Sequence, residues 1–400
     1  MSSSAPPFAG QCIARRGFTA LALGAVLGLA ACAPQSPAPG PVAVAPPMAA
    51  PAAPRMERAA LLLPLSGQNA ALGQAMLNAG IMALFDEAPT SVEFIPRDTG
   101  GTPAGAAAAA RAAIGDGAAA LVGPLTSAEA AAVGPVARAA GVPMIAFTND
   151  AQRAGAGSWV LGVTPQQQAR RMVAAASRDG AQRFVLAAPN TEFGRALAAG
   201  VRGAAADLGL PAPAIALHPA SADLAMAAGA ARAAAPQADA LLIGEPADRA
   251  RRFAAAYAAE ARAAQTGTEA PPAPPALLGT GLWLGDPALH GDEALVGARF
   301  PGPDGRGLAR FEGRYRDAFG ATPPRVAATA YDAAALAARA LRNRESPDAV
   351  TALRSFDGAG GPLRLLPDGQ VLRGLAIYAV SMAGEAVVVE PAPDPAGPGF

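Results

Sequence analysis

The chain has 400 residues and a formal net charge of 0, with 31 basic side chains against 31 acidic ones. Hydrophobic residues make up 52% of it, so a large core can form in one large or two medium domains, and the composition is not that of a disordered protein. It has no basic stripe interleaved with aromatic residues, which excludes nucleic acid as a partner. The only cysteines are Cys12 and Cys32, and the only histidines are His218 and His290, which excludes a disulfide framework and a Cys/His metal site.

The N-terminus has the organisation of a signal peptide, which we assign to residues 1–31. Arg15 and Arg16 form its positive region, and residues 18–31 are an apolar run too short for a membrane span of about 20 residues. The run ends in LAAC, which resembles the bacterial lipobox, and Cys32 is therefore the predicted lipidation site. A buried apolar segment that happens to end in cysteine is the alternative. The two arginines are also similar to a twin-arginine signal, so Sec and twin-arginine export both stay open.

Residues 32–55 are predicted to be a Pro/Ala-rich linker that begins with the lipidated cysteine. Pro occurs eight times between residues 34 and 54, which favours an extended, polyproline-II-like tether because proline cannot donate to a strand ladder. At about 3.1 Å per residue, such a tether reaches about 70 Å. Ala33 follows Cys32, and by analogy with enterobacterial lipoproteins the lack of Asp at this position favours the outer membrane over the inner.

From residue 56 onward, short apolar runs alternate with Ala-rich stretches of helical spacing, separated by turns that contain Gly or Pro. In chain order they predict strand 59–65, helix 69–85, strand 92–96, helix 103–114, strand 118–122, helix 127–140, strand 142–147, helix 164–177, strand 183–187, helix 193–208, helix 221–235, strand 238–243, helix 247–264 and strand 276–278. Such alternation, with strands that are apolar throughout, predicts parallel sheets covered by helices on both faces.

The carboxyl ends of the predicted strands mark the region where a ligand would bind, because loops meet helix N-termini there. Five loops meet this condition. Their polar or aromatic residues, which are the candidate ligand contacts, are Ser66, Thr126, Ser127, Thr148, Asn149, Phe193 and Glu245.

Five segments occur in this order in the chain: LLLPLSG, LVGPLTSAEA, GVPMIAFTND, APNTEFG and ATAYDAAALAARAL. Together they resemble a type I periplasmic binding protein of the leucine/isoleucine/valine-receptor kind, over about residues 57–385. The segments PRDTGGTP, LLGTGLW and YDA are similar to one branch of that family, the penicillin-binding protein activators. Members of this branch are lipoproteins that stimulate peptidoglycan synthases.

The resemblance implies an α/β fold with two doubly wound parallel-sheet lobes, which are joined by three crossings and close over a cleft. Lobe one is expected at residues 56–162 plus 300–352, and lobe two at residues 163–299 plus 353–391, followed by a tail at 392–400. Strands near 363–366 and 375–380 are expected to return to lobe two, with a Pro-Asp-Gly turn between them.

Each implied site role has an ordinary structural alternative. In amino-acid receptors, hydroxyl and N–H groups at the start of a lobe-one helix hold the ligand carboxylate, which implies this role for Thr126 and Ser127; the alternative is that they cap the helix. Thr148 and Asn149 match a second contact loop or form a turn at a strand end. Ser66 has the same two readings.

Glu245 and Phe193 match the part of the site that lies in lobe two. Glu245 corresponds to the acid that pairs with a ligand ammonium group, although an acid before a helix is also common without a ligand. Phe193 replaces a tyrosine that is usual in amino-acid receptors, so the apolar wall stays and the hydroxyl is lost. From these loops we expect a cleft with few polar groups, which weakens an amino-acid ligand and favours a protein partner.

No nucleophile, phosphate-binding or dinucleotide motif occurs in the chain, so we predict a protein that is not an enzyme and needs no cofactor. The favoured hypothesis is an envelope lipoprotein that binds and activates a bifunctional penicillin-binding protein. The alternative is the receptor of an ABC importer for amino acids or small amides. A structural spacer without a ligand is the third hypothesis.

Overall fold

The computed structural model describes residues 56–88, 90–263, 273–289, 293–342 and 356–395. The predicted signal peptide, Cys32 and the Pro/Ala-rich linker lie outside these residues, as does His290. Among the helices described, none is long and apolar enough to cross a membrane.

Strands and helices alternate along most of residues 57–263, as the sequence predicted, whereas residues 305–342 contain two consecutive helices and residues 356–390 contain five consecutive strands. The strands are β1 (Glu57–Leu63), β2 (Val92–Asp98), β3 (Ala120–Val122), β4 (Met144–Ala146), β5 (Ser158–Val160), β6 (Phe184–Pro189), β7 (Ala214–His218), β8 (Ala240–Ile243), β9 (Ala276–Leu278), β10 (Arg299–Gly302), β11 (Phe356–Gly358), β12 (Gly361–Leu365), β13 (Val371–Arg373), β14 (Ala376–Val380) and β15 (Ala386–Glu390). The helices are α1 (Ala70–Glu87), α2 (Pro103–Gly115), α3 (Ser127–Ala140), α4 (Pro165–Arg178), α5 (Glu192–Asp207), α6 (Leu224–Ala234), α7 (Ala247–Ala263), α8 (Gly305–Phe319) and α9 (Arg325–Arg342).

Lobe one is built on a parallel sheet with the strand order β2-β1-β3-β4-β5. Alternate residues of β1 point to opposite faces. Leu61 and Leu63 join a core with α1, α8 and α9, whereas Ala60 and Leu62 join a core with α2 and α3 on the other face. Because both faces are covered, the strand is apolar throughout, as the sequence analysis inferred.

Lobe two is built on a seven-stranded sheet with the order β15-β14-β10-β9-β8-β6-β7. The strands from β10 to β7 run parallel, and β14 and β15 add an antiparallel edge. On β8, Leu241 and Ile243 pack toward α6 and α7, while Ala240 and Leu242 pack toward α4 and α5. The predicted α/β class, with two parallel-sheet lobes, is confirmed.

The expected position of residues 353–391 in lobe two is wrong for the first part of this segment. Strands β11, β12 and β13 form a separate antiparallel sheet whose Leu363, Leu365 and Val371 join the core of lobe one. The Trp159 Nε1 donates to the Leu366 carbonyl at 2.7 Å and ties this sheet to β5. Only β14 and β15 belong to lobe two, and the predicted Pro-Asp-Gly turn connects β12 to β13 instead of two strands of lobe two.

The chain passes between the lobes three times: from β5 to α4, from β10 to α8 and from β13 to β14. The first and third crossings lie side by side and are joined by a hydrogen bond, in which Arg373 Nη2 donates to the Leu161 carbonyl at 3.0 Å. Gln167 Nε2 donates to the Val371 carbonyl at 2.5 Å, and Arg171 Nε donates to the Leu375 carbonyl at 2.8 Å. These bonds hold the start of α4 against the third crossing, where the cleft between the lobes begins.

Candidate functional site

A cavity of about 1110 Å³ lies between the two lobes. Lobe one lines it with the start of α3, the segment after β4 and the start of α9, and lobe two with the starts of α4 and α5 and the segments after β9 and β10. Apart from the start of α9, which follows α8, these segments follow strands of the two sheets, as expected for ligand sites in parallel α/β folds. Ligand pockets in proteins are commonly about 300–1,000 Å³, so this cleft can hold a whole small molecule.

The start of α3 is occupied by the protein's own acidic side chains. Thr126 is the N-cap: its hydroxyl accepts from the Glu129 N–H at 3.2 Å, and the Glu129 carboxyl accepts from the Thr126 N–H at 2.9 Å. Ser127 Oγ donates to Asp150 Oδ2 at 2.5 Å, and Arg153 Nε donates to the same oxygen at 3.0 Å. Thr126 and Ser127 line the cleft, but Thr126 already caps the helix, as the alternative predicts, and Ser127 is bonded to Asp150.

Asp150 keeps its charge at this position. Burial alone would raise its pKa, but hydrogen bonds from Ser127, from the Gln152 N–H and from Arg153 outweigh burial and lower it. Asp150, paired with Arg153, and Glu129 already accept the hydrogen bonds that Ser127 and the Thr126 N–H donate at this helix start. These donors are therefore not free for a ligand carboxylate at the place that the resemblance implies.

Thr148, Asn149 and Phe193 also line the cleft. Thr148 is buried and its hydroxyl accepts from the Asp150 N–H at 3.1 Å, so it shapes the turn after β4. Asn149 is exposed at the mouth of the cleft, and Phe193 is half-buried in the first turn of α5. Whether these three residues contact a ligand stays a prediction.

Ser66 and Glu245 are not among the residues that line the cleft. Ser66 is exposed and hydrogen-bonds Asp98, whose pKa it lowers together with the Gly100 N–H, so it belongs to the turn after β1. The Glu245 carboxylate is buried and accepts from Arg249 Nε at 3.0 Å and from Nη2 at 3.1 Å. Both were expected in the site, but for each the alternative of a local structural role fits its contacts.

We expect Glu245→Gln to destabilise the fold without affecting the cleft. The substitution weakens a two-bond ion pair whose carboxylate side chain is only 3% exposed, which costs about 1.5–3 kcal/mol of unfolding free energy. The matched control is Asp248→Asn, because the Asp248–Arg252 pair has the same i,i+4 spacing but is more than half exposed, and its loss costs less than about 1 kcal/mol. Urea unfolding measures both; equal losses would contradict the structural role of Glu245.

The expectation of a cleft with few polar groups is wrong. Polar side chains that the sequence analysis did not select reach it from the start of α4, the start of α9 and the third crossing. They are Gln166, Gln168, Arg325, Thr329 and Arg373. The N-terminal Thr-Pro of α4 is a recognisable helix start, but nothing local in the sequence indicates that α9 also opens onto the cleft.

Two of these side chains have buried polar atoms without hydrogen-bond partners in the described part of the chain. These atoms are Arg373 Nε, a donor, and Gln166 Oε1, an acceptor. Leaving buried polar groups unpaired is costly, so a ligand that offers both an acceptor and a donor would be favoured here. Within the described residues, no group of three or more His, Cys, Asp or Glu is placed to hold a metal ion.

Solved structures share the fold at low identity. A protein of Rhodospirillum rubrum, described as a branched-chain amino acid ABC transporter, has a TM-score of 0.70 and 20% identity over 84% of this chain and 100% of its own. LpoA from Haemophilus influenzae has a TM-score of 0.65 and 16% identity over 84% of this chain, which spans 59% of the LpoA chain. A solute-binding protein of R. palustris in complex with benzoate has a TM-score of 0.58 and 19% identity over 85% of this chain and 98% of its own.

At these identities the solved structures establish the fold alone, and a comparison with curated proteins finds no match. A sequence model described as "Periplasmic binding protein" matches residues 58–385. This match spans both lobes and all three crossings, and it agrees with the cleft between them. The chain therefore belongs to the periplasmic binding protein family.

Proposed function

We propose that the protein is a non-enzymatic, lipid-anchored binding protein of the cell envelope, whose cleft captures a small organic ligand. The observation that carries this proposal is the cavity of about 1110 Å³, which both lobes line at the carboxyl ends of their strands. Unpaired polar atoms on Gln166 and Arg373 support a polar ligand over a purely apolar one. The predicted lipobox at Cys32 and the linker behind it support attachment to a membrane, with the outer membrane preferred.

The residues that the resemblance assigns to a zwitterionic amino acid are already engaged by other groups of the protein. Glu245, the residue expected to pair with an ammonium group, is already paired with Arg249. The helix start expected to hold the carboxylate already faces Glu129 and Asp150. The cleft therefore supports the receptor of an ABC importer, which was the alternative in the sequence analysis, for small organic solutes other than simple amino acids.

A thermal-melt screen of the full chain tests the proposal. The probes are leucine, leucinamide, benzoate, benzamide and peptidoglycan fragments. A ligand at about 100 times its dissociation constant adds about 2.7 kcal/mol of stability, which raises the melting temperature by several degrees for a chain of this size. A melting temperature that no probe changes would contradict solute capture.

A second candidate function is activation of a bifunctional penicillin-binding protein. The predicted lipobox and a tether of about 70 Å favour it, because they suit a protein that reaches from its membrane toward a synthase. The fold likeness to LpoA agrees with it, although this chain spans only 59% of the LpoA chain.

Purified synthases from the same cell separate the two functions. If the second candidate is right, adding the full chain should speed glycan polymerisation by a bifunctional synthase, and the two proteins should bind in a pull-down. Unchanged polymerisation together with no binding would exclude activation. Solute capture would be unaffected by that result.

A further inference from the structure

We propose that Arg325, Thr329 and Arg373 form a carboxylate-binding subsite at the lobe-one wall of the cleft. The inference rests on the proposed function, solute capture in the cleft, and names the chemical group that this part of the cleft recognises. None of the three residues was selected from the sequence, and none lies at the helix start that the family resemblance implies.

Arg325 and Thr329 lie on one face of α9, and Arg373 approaches the same face. Arg325, Thr329 and Asp332 are spaced i, i+4 and i+7 on α9, so they lie along one side of the helix over about 10 Å. Arg325 and Thr329 line the cleft. Asp332 lies deeper on the same side of α9, and its carboxylate is 3.8 Å from Arg373 Nη1. The guanidinium of Arg373 therefore lies at the buried end of this row of α9 residues.

Cationic donors on this wall of the cleft are available to a ligand. Within the described residues, Arg325 forms no hydrogen bond or ion pair, and its guanidinium reaches across to Gly285 of lobe two, where an added Cβ would lie 3.0 Å from Nη2. Arg373 is only 6% exposed and lines the cleft, yet its Nε has no hydrogen-bond partner in the described part of the chain. A buried unpaired donor at the inner end of a solvent-filled cleft points to an acceptor supplied by a ligand.

The charged residues around the cleft favour an anionic group of the ligand. The two acids that line it are Asp150 and Glu192, against the three arginines Arg195, Arg325 and Arg373. Asp150 accepts from Ser127 and is paired with Arg153 at the start of α3. The first turn of α9 also presents the positive end of an 18-residue helix. Guanidinium and hydroxyl donors at a helix start match the oxygens of a carboxylate.

The test uses the full chain with two pairs of probes, each a carboxylate and its matching amide, and with inorganic phosphate. Benzoate and leucine carry a carboxylate, benzamide and leucinamide carry an amide in its place, and inorganic phosphate represents the other common oxyanion. Melting-temperature shifts and calorimetric titration are measured for the unsubstituted protein and for Arg325→Gln, Thr329→Val and Arg306→Gln. Arg306 is the control because its side chain is exposed and does not line the cleft.

We expect at least one carboxylate probe to bind more tightly than its amide. Arg325→Gln should then weaken that binding at least about tenfold and Thr329→Val about threefold, whereas Arg306→Gln should leave it unchanged. Arg325 is exposed, so its substitution should not alter the melting temperature of the ligand-free protein.

Two results would overturn the subsite while leaving solute capture intact. One is carboxylate binding that both α9 variants retain, and the other is binding of amides as tight as that of their carboxylates. Phosphate binding that Arg325→Gln abolishes, without any carboxylate response, would overturn the assignment to a carboxylate. A protein that responds to none of the probes, neutral or charged, would overturn the subsite and the proposed function together.

Discussion

Asp332→Ala should lower the free energy of unfolding by about 3–5 kcal/mol at neutral pH. Asp332 is fully buried, and its carboxylate accepts from the Ala359 N–H at 2.6 Å and the Gly360 N–H at 3.0 Å, with Arg373 Nη1 3.8 Å away. Removing it leaves two backbone donors and a buried guanidinium without their acidic partner, which is among the most costly changes in a protein interior. Chemical unfolding measured at pH 7.5 checks the loss.

An exposed pair of the same residue types provides the control for Asp332→Ala. Asp207 bonds Arg170 at 2.8 Å, with both side chains more than half exposed. Asp207→Ala should therefore cost less than about 1 kcal/mol. Equal losses in the two variants would show that Asp332 does not anchor the sheet of β11, β12 and β13 to α9.

The same carboxyl should make stability depend on pH. Burial raises the pKa of Asp332 to about 6, and the opposing effects of Arg373 and the two N–H donors do not fully offset it. A folded pKa above the ordinary value of 3.8 means that the native state holds this proton more tightly than the unfolded chain. The stability gained from binding this proton is thus present below about pH 4 and is lost as the pH rises through 6, whereas the hydrogen bonds and the ion pair that Asp332→Ala removes are present at neutral pH.

Asp332→Asn isolates this pH effect, because the amide cannot ionise. The stability advantage of the unsubstituted protein over Asp332→Asn should shrink between pH 4 and pH 7, by about 3 kcal/mol for a pKa difference of about two. Urea unfolding of both proteins at several pH values measures it. A difference between them that is constant with pH would contradict a raised pKa for Asp332.

The sequence predicts most of the fold because β1 and β8 are apolar on both faces and the helices begin at recognisable caps such as Thr126 and Thr164. The strands it missed are β5, β7, β10, β11, β13 and β15. β5 has three residues, too few for a period to be visible, and β10 ends in Pro-Gly, which is typical of a turn. Their strand conformation is set by partners elsewhere in the sheets, not by local pattern.

The candidate site was less predictable, and the reasons differ between residues. The i,i+4 spacing of Glu245 and Arg249 is visible in the sequence and signals an ion pair that competes with any ligand role. The meeting of Asp332 with Arg373, in contrast, joins a helix to a crossing far along the chain, through an intervening sheet that was assigned to the wrong lobe. Because that sheet was assigned to lobe two, the sequence offered no reason to expect Arg373 beside α9 in the cleft.

Gly162→Ala should destabilise the protein by about 2–3 kcal/mol and disturb the cleft. Gly162 lies in the first crossing, where its N–H donates to the Thr148 carbonyl at 3.1 Å. An added Cβ would lie 2.5 Å from that oxygen and 2.7 Å from the Phe147 carbonyl oxygen, and backbone cannot yield as a flexible side chain does. The crossing must therefore separate from the segment after β4.

The consequence of Gly162→Ala reaches the binding site, because Gly162, Thr148 and Asn149 all line the cleft. Gly313→Ala is the matched control: its position within α8 has open space around the added methyl group, so it should gain about 0.5–1 kcal/mol from reduced backbone entropy of the unfolded chain. Urea unfolding distinguishes the opposite signs expected for the two variants. Stabilisation by both substitutions would mean that the first crossing does not pack against the end of β4, and the lobes would then lack the rigid junction that a closing cleft requires.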